Sequence, residues 1–194
     1  MNAIRPVAPV VLLLLLLASC SLDYEQARVA ESISGQIPDT ILLDFTHTVM
    51  SGGKVWVVLQ AERAETYNER KEIVLHNVLF REYDQQGGLL TEARAEQAVF
   101  HTDSEDASVS GSIVIYSTEE QAELQASRLT WTREGRRLVA DDGQTVLLRK
   151  DDGSFVEGRG FSADFRRKKL EFASRVRGSY VWEEENEEQQ DAEQ

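Results

Sequence analysis

The sequence predicts an all-β protein, a repeating antiparallel structure of short strands. Three observations lead there. From Thr40 to Trp182 there is no proline, so every backbone N–H in that stretch can join a ladder. Turn signals punctuate the stretch at Ser51-Gly52-Gly53, Gln86-Gly87-Gly88, Glu134-Gly135, Asp142-Gly143 and Asp152-Gly153. Between them the apolar period is two: Val55, Val57, Leu59 and Ala61 share one face, as do Gly111, Ile113 and Ile115, and Phe161, Ala163 and Phe165. The opposite faces carry Ser112, Ser162 and Asp164, although Trp56 and Val58 make one outer face apolar. Short strands at intervals of roughly 8–12 residues are the pattern of a sandwich or barrel.

A chain of 194 residues suits one domain, or one domain with an extension. Its 34 Asp and Glu outweigh 21 Lys and Arg, and a net charge of −13 argues against a nucleic-acid partner. A single cysteine excludes both a disulfide framework and a Cys-rich zinc site.

The first element is an address. Arg5 and the amino terminus form a short positive region, followed by an apolar stretch from Val7 to Ala18. A bilayer core needs roughly 20 apolar residues as helix, so this stretch has the length of a signal peptide. Cys20 directly follows Leu17-Ala18-Ser19, in a pattern that resembles the lipobox of bacterial lipoproteins, where the thiol is acylated and the chain cut before it. The organisation expected is a signal peptide over 1–19, a lipidated Cys20 and tether over 20–39, a β-domain over 40–182 and an acidic tail over 183–194. Within the tether, Leu22 to Gln36 could form a short helix, with Gly35 and Pro38 closing it. Two or three acyl chains, at about 0.8 kcal/mol per buried CH₂, hold a soluble domain at a membrane.

The β-domain contains a repeat. Ala61-Glu62-Arg63-Ala64, Ala95-Glu96-Gln97-Ala98, Ala126-Ser127-Arg128-Leu129 and Gly160-Phe161-Ser162-Ala163 place a small residue three before an apolar one. In the last three an aromatic follows at the fifth place: Phe100, Trp131 and Phe165. Four copies at nearly one spacing read as stacked β-units that cannot bury their faces singly.

The order of these elements resembles LptC, the periplasmic component of lipopolysaccharide export, within the wider LptA/LptC/OstA-like superfamily. The residues that carry the resemblance are Val57 to Ala64, Ile73 to Val78 with Asp84 and Gly87-Gly88, Ala126 to Trp131, Gly158 to Asp164 and Arg175 to Tyr180. The resemblance implies a twisted antiparallel β-jelly roll, open and V-shaped, whose apolar interior holds the acyl chains of lipopolysaccharide or a related glycolipid. It also implies docking through sheet edges, between an inner-membrane ABC transporter and an LptA-type bridge protein. Typical members keep an amino-terminal transmembrane helix, and the lipobox-like leader departs from that. The family points to the inner membrane; Ser21, where an aspartate would signal retention there, leaves the outer membrane open.

The inward sets give candidates for a lipid-binding groove: Val57, Leu59, Ile113, Ile115, Leu129, Trp131, Phe161 and Phe165. Alternation alone serves a filled sandwich core equally well. The last candidate strand, Leu170 to Trp182, has no proline to blunt its edge, and by the resemblance it receives the bridge protein by strand addition near Val176 and Tyr180. The first strands, near Ile41 to Ala61, would face the transporter. An envelope assembly lipoprotein, using the fold as a protein scaffold without carrying lipid, is the alternative.

Enzyme readings find little support. His47, His76 and His101 lack metal-ligand spacing, so neither a metal nor a cofactor is expected. Gly158-Arg159-Gly160 lies in a strand pattern with no helix following, which favours close packing or a bulge over a phosphate loop. Arg166-Arg167-Lys168-Lys169 reads as a solvated hairpin turn, with lipid phosphates or an acidic partner surface as the other readings. The segment 183–194 has seven acidic residues and no basic one, the composition of a disordered, solvating tail.

Overall fold

The computed structural model describes residues 35–141 and 143–181. Cys20, the leader, most of the tether and the acidic tail lie outside the described residues. The alternating stretch forms twelve strands: β1 (Thr40–Ser51), β2 (Lys54–Tyr67), β3 (Glu72–Tyr83), β4 (Leu89–His101), β5 (Ala107–Ser117), β6 (Ala122–Thr132), β7 (Arg137–Ala140), β8 (Thr145–Lys150), β9 (Phe155–Arg159), β10 (Ser162–Asp164), β11 (Lys169–Glu171) and β12 (Ser174–Ser179). They form one antiparallel sheet that does not close, as the sequence led us to expect of a repeating antiparallel β-structure.

From β1 to β6 each strand pairs with the next. Beyond β6 the strands come in collinear pairs. Along the free side of β6, β8 lies against Ala122–Gln125 and β7 against Leu129–Thr132. Next come β9 against β8 and β10 against β7, then β12 against β9 and β11 against β10. The sheet is thus an up-and-down meander whose last three passes are each interrupted in mid-course. Two sequence expectations are corrected by this. The Asp142-Gly143 signal marks an interruption between β7 and β8, where the chain keeps its direction instead of reversing. The last strand does not run unbroken from Leu170 to Trp182, but breaks at Phe172-Ala173 into β11 and β12.

These interruptions continue a line that crosses the earlier strands too. In β1, Asp44 (φ 51°) falls between Leu43, paired with Arg63, and Phe45, paired with Ala61. In β3, Asn77 (φ 52°) falls between His76, paired with Arg63, and Val78, paired with Ala61. Gly111 (φ 99°) in β5 lies within the register break opposite Ala95 and Glu96. Gly160 (φ 66°) separates β9 from β10. Each break costs backbone hydrogen bonds, and polar side chains take their place. Asn77 Nδ2 donates to Glu62 Oε2 at 2.5 Å. Ser112 donates to Glu96 Oε1 from its backbone N at 3.1 Å and from Oγ at 2.8 Å. Gln144 Oε1 accepts from the N–H of Ser127 at 3.1 Å and of Arg128 at 2.8 Å, while its Nε2 donates back to the Arg128 carbonyl. One side chain therefore acts as the missing piece of strand between β7 and β8.

The seam explains the sequence repeat. In a strand of period two, residues three apart face opposite ways, yet Ala61 and Ala64 are both buried in one cluster. The residue dropped from the pairing, Glu62, restores the apolar residues to the inner face. The same step links Ala95 to Ala98 in β4 and Ala126 to Leu129 in β6, so each repeat is a two-strand hairpin carrying one crossing of the seam.

Two packed clusters cover the inner face. Ala61, Ala64, Leu75 and Val78 form one, with Phe45, Leu59, Ile73 and Ala98 against it. Ile113, Leu124, Leu129, Ala140, Val146 and Phe161 form the other, with Phe172 and Leu148 among its flanks.

Gly111 is the least replaceable seam position: a Cβ there would lie 2.4 Å from that of Glu96, at a φ that side chains rarely adopt. Gly111→Ala should cost about 2–4 kcal/mol and Gln144→Ala, at a more exposed place, about 1–2 kcal/mol. Urea titration measures both; Gly111→Ala as stable as the parent would remove the steric basis of the seam.

Candidate functional site

Pairing register sets which side chains share a row across the sheet. On one side of the seam a row runs Leu42, Ala64, Leu75, Ala98, Val109, Leu129. On the other side a row runs Leu59, Phe80, Ala93, Ile115, Leu124, Leu148. Both rows are apolar across six strands each, and in β1 the second ends on His47, which pairs with Leu59. One row further out, Val57 pairs with Glu82, Glu82 with Thr91 and Thr91 with Ser117. The apolar face ends there on a polar margin. Beside that margin, where the β1–β2 and β3–β4 turns meet, a cleft of about 640 Å³ is lined by Lys54, Val55, Trp56, Tyr83 and Leu90 among others.

The eight groove candidates are distributed over this face unevenly. Leu59 joins the cluster of β1–β4, and Ile113, Ile115, Leu129 and Phe161 belong to the cluster of β5–β10. Val57 is half-buried at the polar margin. Trp131 is half-buried, at the opposite end of its strand. Phe165 departs from expectation: it is 53% exposed, because the chain turns at residues 165–168 before its side chain can enter the inner face. It packs edge-on against Trp131, ring centroids 5.6 Å apart. Val55 is likewise displaced outward, since Met50 pairs with Val55 and Val49 with Val57, leaving Trp56 as a bulge. Sequence reasoning missed Ala64, Leu75, Leu124 and Val146. The three-residue step inside the repeat was the available signal for the first.

The face is packed differently along its length. Around Phe161, Leu129 and Val146 it is closed, with each at 2% exposure or less. Gly158 makes room for this: a Cβ there would come within 3.0 Å of the Phe172 ring, and Phe161 packs on Phe172 at 5.5 Å. Toward β1 the lining side chains of β2 and β4 shrink to alanine.

Both edges of the sheet are unpaired among the described residues. β1 bonds only to β2 and exposes Ile41, Leu42, Leu43 and Met50. At the other edge β11 and β12 lie outermost, with Val176 at 54% and Tyr180 at 63% exposure. Val176 sits within a register break of β12, next to Arg175 (φ 51°). The basic cluster at 166–169 occupies a hairpin turn, as expected. Asp164 closes that turn by accepting the N–H groups of Arg167 at 3.0 Å and Arg166 at 3.1 Å; these bonds, the Arg167 N–H foremost, hold its carboxyl below the usual range. The outer face carries ion pairs such as Arg81–Glu92 at 2.8 Å, where the Arg81 hydrogen bond lowers the Glu92 pKa.

The histidines are dispersed over β1, β3 and β4, and no group of three or more His, Cys, Asp or Glu among the described residues could hold a metal ion. No helix among the described residues is long and apolar enough to cross a membrane.

Fold and site together define a class: open antiparallel meanders with an apolar inner face and two unpaired edges. The model of the family described as lipopolysaccharide-assembly, LptC-related, matches residues 10–181, and the chain belongs to that family. It is accordingly a periplasmic component of lipopolysaccharide transport, and not an enzyme. Among solved structures, the chain is similar to LptH, the LptA homologous periplasmic component of the conserved lipopolysaccharide transport device from Pseudomonas aeruginosa. The match has 14% identity and a TM-score of 0.49, over 64% of this chain and 94% of that one. No curated protein sequence matches the chain.

The two aromatic ends of the last repeat should separate cleanly. Phe161→Ala is expected to cost about 3–5 kcal/mol, and Phe165→Ala about 1 kcal/mol, the worth of one aromatic contact. Thermal denaturation of the two variants measures the difference; equal losses would mean that Phe161 does not hold the closed cluster.

Proposed function

We propose that this chain is a membrane-anchored component of lipopolysaccharide export, taking the lipid from an inner-membrane ABC transporter into its apolar face and passing it to an LptA-type bridge. The observation that carries the reading is the pair of apolar rows, one from β1 to β6 and the other from β2 to β8, with no polar side chain within those spans. An acyl chain laid across them exchanges water for apolar contact at about 0.8 kcal/mol per methylene, and no chemistry is required of the protein. The alanines of β2 and β4 leave such a chain more room than the leucines and isoleucines beyond them. Acylation of Cys20 would keep the domain at the membrane surface, on the inner membrane by the family's habit.

The bridge protein would add a strand at the β11–β12 edge, through Val176 and Tyr180, and the β1 edge would meet the transporter. The closed packing around Phe161 favours a second reading for that end of the sheet, a filled core supporting a protein scaffold.

Photo-crosslinking in living cells tests the lipid path, with a photoreactive residue at Leu59 or Ile115 and at Asp151 as an outer control. Glycolipid adducts are expected at the first two positions and not at Asp151; protein adducts alone would favour the scaffold. For the edge, Val176→Glu should abolish pull-down of the bridge protein while leaving the circular dichroism spectrum unchanged. Undiminished capture by a folded variant would sink the edge assignment.

A further inference from the structure

Two hairpin turns meet at one end of the sheet. The turn from β6 to β7 spans residues 133–136, and the turn from β10 to β11 spans 165–168. Because β7 pairs with β10, the turns lie side by side. The Phe165 N–H donates to the Arg136 carbonyl at 3.0 Å, and the Arg166 guanidinium donates to the Glu134 carbonyl. The first hairpin brings Arg133, Arg136 and Arg137; the second brings Arg166, Arg167, Lys168 and Lys169. All of these cations are exposed. Residues 133–137 and 164–169 hold only two acids of their own, Glu134 and Asp164. Neighbouring segments supply three more: Glu105 pairs with Arg133, Asp106 accepts the Arg133 backbone N–H, and Glu171 pairs with Lys169. The tip remains positive in a chain whose net charge is −13. Among the described residues, no ion pair engages Arg136, Arg166 or Lys168.

An apolar strip borders these charges. Register places Trp131, Leu138, Ala163 and Leu170 in one row across β6, β7, β10 and β11. Phe165 continues that side beyond the end of β10, edge-on against Trp131. Phe165 is 53% exposed and Leu170 44%, so a ring and a leucine stand open to solvent among cations. Long basic side chains keep their charge at the level of lipid headgroups while apolar neighbours enter the interface. An anionic bilayer meets both features, with charge at its surface and apolar chains just below. The same surface repels the remainder of this acidic chain, so electrostatics alone turns this tip toward it.

We propose that the adjoining β6–β7 and β10–β11 turns are a contact site for an anionic bilayer, with Phe165 and Leu170 entering the interface and Arg136, Arg166 and Lys168 meeting lipid phosphates. The planar guanidinium groups can each give two hydrogen bonds to one phosphate. Each basic side chain near an anionic surface strengthens the contact roughly fivefold, within a Debye length of about 8 Å at physiological ionic strength. The site rests neither on acylation of Cys20 nor on the lipid path proposed above. An anchor keeps the chain near a membrane, whereas this tip decides which part of the domain touches it.

The test places a photoreactive phenylalanine at Phe165 of the full chain, and in separate variants at Ile115 and at Asp151. The vesicles are phosphatidylcholine alone or an equal mixture with phosphatidylglycerol. At low salt, lipid adducts at Phe165 should be abundant on the mixed vesicles and sparse on phosphatidylcholine, with none at Asp151, and should diminish as salt rises. Arg136→Gln, Arg166→Gln and Lys168→Gln together remove three factors of about five, roughly a hundredfold in all. Adducts at Phe165 should then fall to the phosphatidylcholine level, with the circular dichroism spectrum unchanged. Equal yields on the two vesicle types, or an undiminished yield from the folded Gln variant, would overturn the proposal. Adducts at Ile115 report lipid on the inner face; their absence beside strong Phe165 adducts counts against the lipid path and leaves the contact site standing. In cell envelopes, Phe165 adducts to protein alone would replace the bilayer with an acidic protein surface and overturn the assignment.

Discussion

An open sheet with an apolar face must keep that face continuous while each strand is bent, and a strand has only one way to do so. Its side chains alternate strictly, so a bend that inserts or drops an odd residue turns the next apolar side chain outward. This chain meets the constraint by breaking every pass at the same height. Asp44, Asn77 and Gly111 adopt left-handed backbone, and Glu62, Glu96 and Ser127 fall out of the pairing opposite them. The inner rows on the two sides of the seam can then both be apolar. Without that coordination the leucines of one half would face water whenever those of the other half did not.

The seam is polar because broken ladders leave backbone groups unpaired. Glu96 and Gln144 answer this need from two different places in the chain, by accepting backbone N–H groups across the outer surface, while Glu62 accepts from the Asn77 side chain opposite it. At Glu96 a carboxylate thus stands in for missing strand. The basic character of the last edge is the complement, a cluster set apart from most of the chain's acids by the meander itself.

The sequence made the fold class legible because alternation and the lack of proline act locally, within a few residues. The hairpin repeat was legible for the same reason. Several turns were not: those at 68–71, 102–105 and 118–121 contain no glycine, and three non-glycine residues, Lys71, Glu105 and Gln121, adopt positive φ there. Conversely, Asp142-Gly143 looks like a reversal and is an in-line break, because Gln144 can replace the strand only when the long-range partner Ser127 is in place. Among the groove candidates, period two correctly grouped Ile113 with Ile115, but extended the Phe161 series one residue too far into a turn. Buried positions such as Leu124 and Val146 depend on the register between strands, which no single segment states.

The hairpin repeat has one more consequence. Each unit contributes two strands, one crossing of the seam and the same inward pattern, so its outgoing edge matches its incoming one. Strands lie about 4.8 Å apart, and one unit therefore lengthens the apolar face by roughly 10 Å. Duplication of a single hairpin segment, or its loss, would change the length of the path without disturbing either terminal edge. The span of such a protein is in this sense quantised, and a lineage could adjust it to the width of its envelope by whole hairpins.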